Sequence, residues 1–192
     1  MSNSPTEFYS AERWQNWIDR IDDEEIDPED ESSARLLLNL QDDTAIAIAK
    51  IVAAYDDDDL EQEQALEEIA DVREIVLSEV DIADEETRML VDGVQTSLVC
   101  VFIAAEEYVA GGPAEDASIA DYIGAAADAE AEEDLDAALG YTAQAGTLVI
   151  DGEELDMGLV EELEYGLVME WINGLDSLQS AMSDPEVVEE DE

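Results

Sequence analysis

The chain has 192 residues, 46% of them hydrophobic, and 55 acids against 6 bases give it a formal charge of −49. That length and that apolar content suit one globular domain with a sizeable core. The charge disfavours nucleic acid as a partner, since five scattered arginines are outnumbered everywhere, and a lone cysteine excludes an intrachain disulfide or a cysteine-based metal cluster.

In chain order, Phe8 and Tyr9 lead into a first helix capped by Ser10, in which Trp14, Trp17, Ile18 and Ile21 form one strongly aromatic face. The acids of Asp22–Glu25 end it. Asp27 as N-cap and Pro28 at the first helical position then open a second helix that runs to Tyr55. Its inner stripe is Leu37, Leu40, Thr44, Ile48, Ile51 and Tyr55. Ala45 to Ala49 also alternates with period two, so a strand is the alternative there. After Asp56–Asp59 a third helix is predicted through Leu60, Gln64, Ile69, Val72, Val76 and Val80.

Residues 84–110 are predicted as the central helix, capped by Asp84, with Leu90, Val94, Leu98, Val101, Ala105 and Tyr108 on its inner stripe. Its middle, Gly93–Ala105, is thirteen residues without a charge. A helix apolar nearly all round is one that other helices surround. The β-branched run from Val99 to Ile103 leaves a central strand as the alternative. Gly111-Gly112-Pro113 is a strong C-terminal stop.

Beyond it, alanine and acids dominate, and two small-residue helices over 118–131 and 133–145 are expected to pack as a hairpin. Gly146 and Asp151-Gly152 bracket a short apolar link, Leu148-Val149-Ile150. Asp156 caps a last helix carrying Val160, Leu163, Leu167, Trp171, Leu175, Leu178 and Met182. Gly158, Gly166 and Gly174 fall within it, each costing about 1 kcal/mol against alanine unless another helix backbone approaches closely. Residues 184–192 form an acidic tail. The expected fold is therefore an all-α single domain over 1–183, a bundle of about seven helices around the central one.

The distribution of charge points to a habitat. No acidic run exceeds four residues, and most acids are interleaved with apolar residues at helical spacing, as in Leu66-Glu67-Glu68-Ile69. Tails and disordered arms concentrate charge instead. Lysine is reduced to Lys50 alone. At 1 M salt the Debye length is about 3 Å, so the repulsion of such a coat nearly vanishes. A halophilic cytoplasm is expected, with diffuse cation binding over the whole surface rather than at a site. The opening MSNSPTEFYS has neither a basic nor an apolar region, so no signal peptide is expected. No uncharged apolar run reaches the roughly 18 residues of a membrane span.

The catalytic inventory is thin. Histidine is absent, so Ser-His-Asp and Cys-His arrangements and imidazole metal sites are not available. Cys100 lies among Val99, Val101 and Phe102, where a thiol loses reactivity. Glu106 and Glu107 are neighbours that cannot share a helix face, and read as a solvated helix end. Asp56, Asp58 and Glu67 fit three positions of a calcium-loop frame, but Leu60 and Glu61 occupy a ligand position and the glycine position. No catalytic, cofactor-binding or metal-binding residue is assigned. Arg13 is within reach of Asp19 or Glu12, an exposed pairing worth about 0–1 kcal/mol.

Phe8, Tyr9, Trp14 and Trp17 bring four of the eleven aromatics into ten residues. Either they dock the first helix on the core, or they anchor a partner or a second copy, since interfaces favour Trp and Tyr. The functional expectation is a non-enzymatic interaction or scaffold protein with an unidentified protein partner, or a homodimer. The alternatives are an enzyme using carboxylates or a metal without histidine, and an acidic decoy for a basic protein.

Segments across nearly the whole length, TEFYSAERWQNWIDRI, ARLLLNLQDD, LVDGVQTSLVC, AAEEYVAGGPAE and EYGLVMEWINGLDSLQSAMSDPE, carry a resemblance. They resemble a haloarchaeal family that bears only a domain-of-unknown-function label. The resemblance implies a soluble haloarchaeal protein with no assigned activity and no catalytic residues to carry over.

Overall fold

The computed structural model describes residues 8–24, 26–27 and 29–183, and these form eight helices and no strand. Residues 45–49 and 99–103, where the sequence also allowed a strand, both lie inside helices. They are covered on several sides, and packing outweighs the small helix penalty of β-branched side chains.

The first helix, α1, is Ala11–Asp23, and Ser10 caps it by accepting a hydrogen bond from the Arg13 amide at 3.1 Å. α2 is Glu31–Asp56 and starts later than expected, with Asp30 as its N-cap. Asp27 is occupied elsewhere: its carboxylate accepts from the Glu29 amide at 3.0 Å and its carbonyl from the Asp30 amide at 2.9 Å. A side chain closing such a turn competes with helix initiation, so the helix begins one turn on. Pro28 lies outside the described residues.

α3 is Gln62–Val76, shorter than predicted at both ends. Gln64 is not on the inner stripe. Its side chain accepts from the Glu61 amide at 3.0 Å at the helix start, and Ala65 is buried in its place. Val80 falls in the link to α4, which is Glu85–Gly111. The Asp84 carboxylate caps α4, accepting from the Thr87 amide at 2.9 Å and its hydroxyl at 2.7 Å, and these bonds lower its pKa. Gly112, at φ 84°, ends α4 in a backbone region open to glycine.

α5, Ile119–Ala131, and α6, Leu135–Ile150, form the expected hairpin, but α6 does not stop at residue 145. The run Leu148-Val149-Ile150 is its last turn. The helix passes straight through Gly146, where a Cβ would stand 2.6 Å from Ala104 Cβ and 2.8 Å from Leu175 Cδ2. Gly146 is a contact point between α6, α4 and the last helix, not a link residue.

The predicted last helix is two. α7 is the single turn Met157–Glu161, and α8 is Leu167–Ser183. Gly158 and Gly166 are therefore not interior to one long helix. Gly174 is, and there a Cβ would overlap the backbone carbonyl of Ser97, so α8 and α4 cross at main-chain contact. The acidic stretch 184–192 lies outside the described residues.

α4 packs on α2, α3, α6 and α8, with Leu98, Val101 and Phe102 fully buried along it. By length and composition α4 is also apolar enough to cross a membrane, and 50% of that window is buried inside the bundle. The four helices around it make it the core of a single-domain bundle. α1 packs to one side, on α2 and α3.

Candidate functional site

α1 carries the sequence features singled out at the N-terminus, and its two faces do different things. Trp14, Ile18 and Ile21 point into the bundle and are buried. Arg13 and Trp17, one turn apart, converge on one carboxylate of α2. Arg13 Nε donates to Asp43 Oδ2 at 2.8 Å, a second guanidinium nitrogen donates to Asp43 Oδ1, and Trp17 Nε1 donates to Oδ2 at 2.9 Å. Asp43 is only 8% exposed, and a two-pronged arginine plus an indole satisfies a carboxylate that would be costly to bury alone. Arg13 therefore pairs thirty residues away, not with Asp19 or Glu12. Its guanidinium also lies 5.9 Å from the Tyr9 ring centroid, while Arg20 lies 5.7 Å from that of Trp17.

The four aromatics are thus divided. Tyr9 and Trp14 are each 4% exposed, and Phe8 and Trp17 are half-buried against the core. The Tyr9 hydroxyl is buried beside Thr44 without a well-formed hydrogen bond. Burial above all, then the Asp43 charge, raises its pKa against the opposing effects of Thr44 and Arg13.

Tyr9 and Trp14 also line a groove of about 460 Å³ between α1 and α3. Val72 and Ile75 of α3 line it opposite them, and Gln15 and Ser78 add polar groups. Glu68, Asp71 and Glu74 stand at its edge, with Asp71 and Glu74 exposed. α3's one base, Arg73, is turned the other way, its Nη1 lying 3.2 Å from Glu106 Oε1 on α4. Trp17, turned to Asp43, and Phe8 are not among the groove's lining residues.

Two further cavities are built differently. One of about 600 Å³ lies under the α3–α4 link, with Arg88, Asp81 and Asp92 around it. Gln95 fixes that link by donating to the carbonyls of Val76 at 2.8 Å and Ser78 at 3.0 Å. The other, about 260 Å³, sits at the C-terminal end of α4 by Gly112, Tyr122 and Thr147. Thr147 Oγ1 there accepts from the Ala114 amide at 3.0 Å. Cys100 is fully buried, and desolvation, then the Glu107 charge, pushes its thiol far above the ordinary range. Glu107 is itself raised, by burial and then by Glu106. Among the described residues no group of three or more His, Cys, Asp or Glu is arranged to hold a metal ion.

Asp43 and the α3 wall of the groove were not singled out from sequence. Asp43 had a signal: Leu36, Leu40, Asp43 and Ala47 step by four, three and four along one buried stripe of α2. An acid on such a stripe needs a cationic or N–H partner from another element. Nothing in α3 alone shows that Val72 and Ile75 face α1 across a groove.

The chain belongs to the family described as "uncharacterized protein conserved in archaea" (DUF2150), whose model matches residues 7–191. No curated protein and no solved structure matches it.

Proposed function

We propose that this member of an archaeal family works as a non-enzymatic interaction protein of a halophilic cytoplasm, docking a segment of another protein between α1 and α3. What supports this is the groove in which buried Tyr9 and Trp14 meet Val72 and Ile75, on a surface otherwise coated with acids. In molar salt, ion pairs between exposed groups lose most of their strength while apolar burial keeps its own. A binding surface in that medium gains more from apolar contact than from exposed ion pairs. Tyr and Trp also contribute large contact area with few rotatable bonds.

The test is site-specific photo-crosslinking in native lysate at molar KCl. A crosslinking residue at Gln15 or at Glu74, on opposite walls, should capture the same protein, and one at Glu132, in the α5–α6 turn, should not. Capture from all three positions, or from none, would sink the docking reading.

A further inference from the structure

We infer that Asp151–Gly152, the turn that closes α6, is where this chain spontaneously forms isoaspartate. The fold shields its two other sites of the same chemistry. An aspartate or asparagine followed by glycine is open to attack by the next backbone nitrogen, because glycine has no Cβ to crowd it. The sequence holds three such pairs, Asp92–Gly93, Asp151–Gly152 and Asn173–Gly174. In an unfolded chain Asn173 reacts first, since its amide carbonyl is a better electrophile than an ionised carboxylate. The structure reverses that order.

Attack needs rotation about the Cα–carbonyl bond of the first residue and release of the glycine N–H. Within a helix both steps break backbone hydrogen bonds on either side. Asp92–Gly93 lies inside α4. Asn173–Gly174 lies inside α8 and is locked further: the Asn173 carbonyl accepts from Gln41 Nε2 at 3.2 Å, and Gly174 is in main-chain contact with Ser97. Asp151 instead follows the last residue of α6, and both it and Gly152 are exposed. Gly152, at φ 108°, has open space where a Cβ would stand, and its N–H is held by one turn bond, to the Val149 carbonyl at 3.1 Å. Rotation there disturbs an exposed turn rather than a core helix. The Gly152 nitrogen then bonds to Asp151 Cγ, and a carboxyl oxygen leaves as water with the amide proton and the carboxyl proton. Water reopens the cyclic imide. Cleavage at Cγ restores aspartate, whereas cleavage at the other carbonyl leaves the chain running through Cβ and Cγ, one carbon longer. That carbon falls where the Asp151 and Glu153 amides close α6 on the Thr147 and Leu148 carbonyls, each at 3.0 Å.

The experiment incubates the full chain in heavy-oxygen water, folded in about 1 M KCl and, in parallel, unfolded in guanidinium chloride. Peptide mapping with electron-transfer fragmentation then reads isoaspartate and heavy-oxygen uptake at each of the three pairs. In the unfolded chain Asn173 should convert faster than Asp151. In the folded chain Asp151 should keep a rate within about tenfold of its unfolded one, while Asn173 slows at least about a hundredfold, because α8 must open first. Asp151→Glu, whose longer side chain disfavours ring closure, should lose the signal at that position and keep its helicity. Conversion of Asn173 in the folded chain as fast as in the unfolded one would overturn the inference. So would an Asp151 slowed as much as Asn173, since the turn would then be as protected as the helices. A signal at that position surviving Asp151→Glu would overturn it too.

Discussion

The Glu130 carboxylate of α5 accepts a hydrogen bond from the Val168 amide at 2.8 Å, capping the start of α8 from another helix. Glycine at residue 166 leaves the carboxylate room in this position. A Cβ there would overlap Glu130 Oε1 and stand 2.9 Å from its Cδ. Two residues on separate elements therefore specify where the long C-terminal segment breaks into α7 and α8. Glu130→Ala should cost about 1 kcal/mol, the ordinary loss for an N-cap. Gly166→Ala alone should also destabilise. In the Glu130→Ala background the same change should become neutral or mildly stabilising, by about 0.4–1 kcal/mol, because the obstruction has gone and the unfolded chain is stiffer. Additive effects in a denaturation double-mutant cycle would refute the coupling.

Asp43 ties α1 to α2 through Arg13 and Trp17. Asp43→Ala leaves an indole N–H and a guanidinium without that acceptor, an expected loss of about 1–3 kcal/mol. The loss should be local. Amides of α1 should exchange with solvent faster while those of α4 keep their protection, and tryptophan emission should shift to the red. A uniform loss of protection would place Asp43 in the global core instead.

Tyr108 on α4 donates to Asp56 at the end of α2, with Oη 3.1 Å from Oδ1. Burial first, then the Asp56 charge, pushes its pKa from 10.0 up to about 12. The folded state holds this proton more tightly than the unfolded one. Its stabilising contribution is therefore fully present below pH 10 and is lost as pH rises through about 12. Tyr108→Phe should flatten that part of the stability profile, and absorbance of tyrosinate should show one phenol fewer titrating late. An unchanged profile would mean the pair is open in solution.

Below about 0.1 M salt the Debye length exceeds about 10 Å, and acids on neighbouring helices repel through it. Moving from molar KCl to about 50 mM should unfold the domain. Unchanged circular dichroism there would count against a halophilic habitat. Mild acid should restore part of the helix signal. Burial foremost raises Asp42 and Glu107, so both bind protons more readily when folded. Their contribution is present at low pH and fades as pH rises past their folded values.

The helices themselves were largely legible, because caps and apolar stripes are local. Ser10, Asp84 and Asp156, read as caps, do accept from amides a few residues on, whereas Asp27 gives way to Asp30. What was not legible depends on contacts between elements. Gly146 reads as a breaker in sequence and is an interior packing point of α6, a difference made by Ala104 and Leu175. The break before α8 needs Glu130, 36 residues upstream of Gly166. The aromatics of α1 were found, yet their division between core, carboxylate hub and groove depends on α2 and α3. Asp43 was the exception, an acid on a buried stripe that announced a partner without naming it.

The crossing of Gly174 over the Ser97 carbonyl has a consequence in time. The two residues are 77 positions apart, so the surface that α8 covers on α4 is made long before its cover. At roughly 5–20 residues per second of synthesis, α4 waits on the order of ten seconds for α8 to be translated. Until then the face of α4 that packs against α8 is without that cover. Chains stalled before residue 167 should therefore bind a hydrophobic dye or a holdase chaperone, and complete chains should not. The bundle can therefore close around α4 only once α8 has been made.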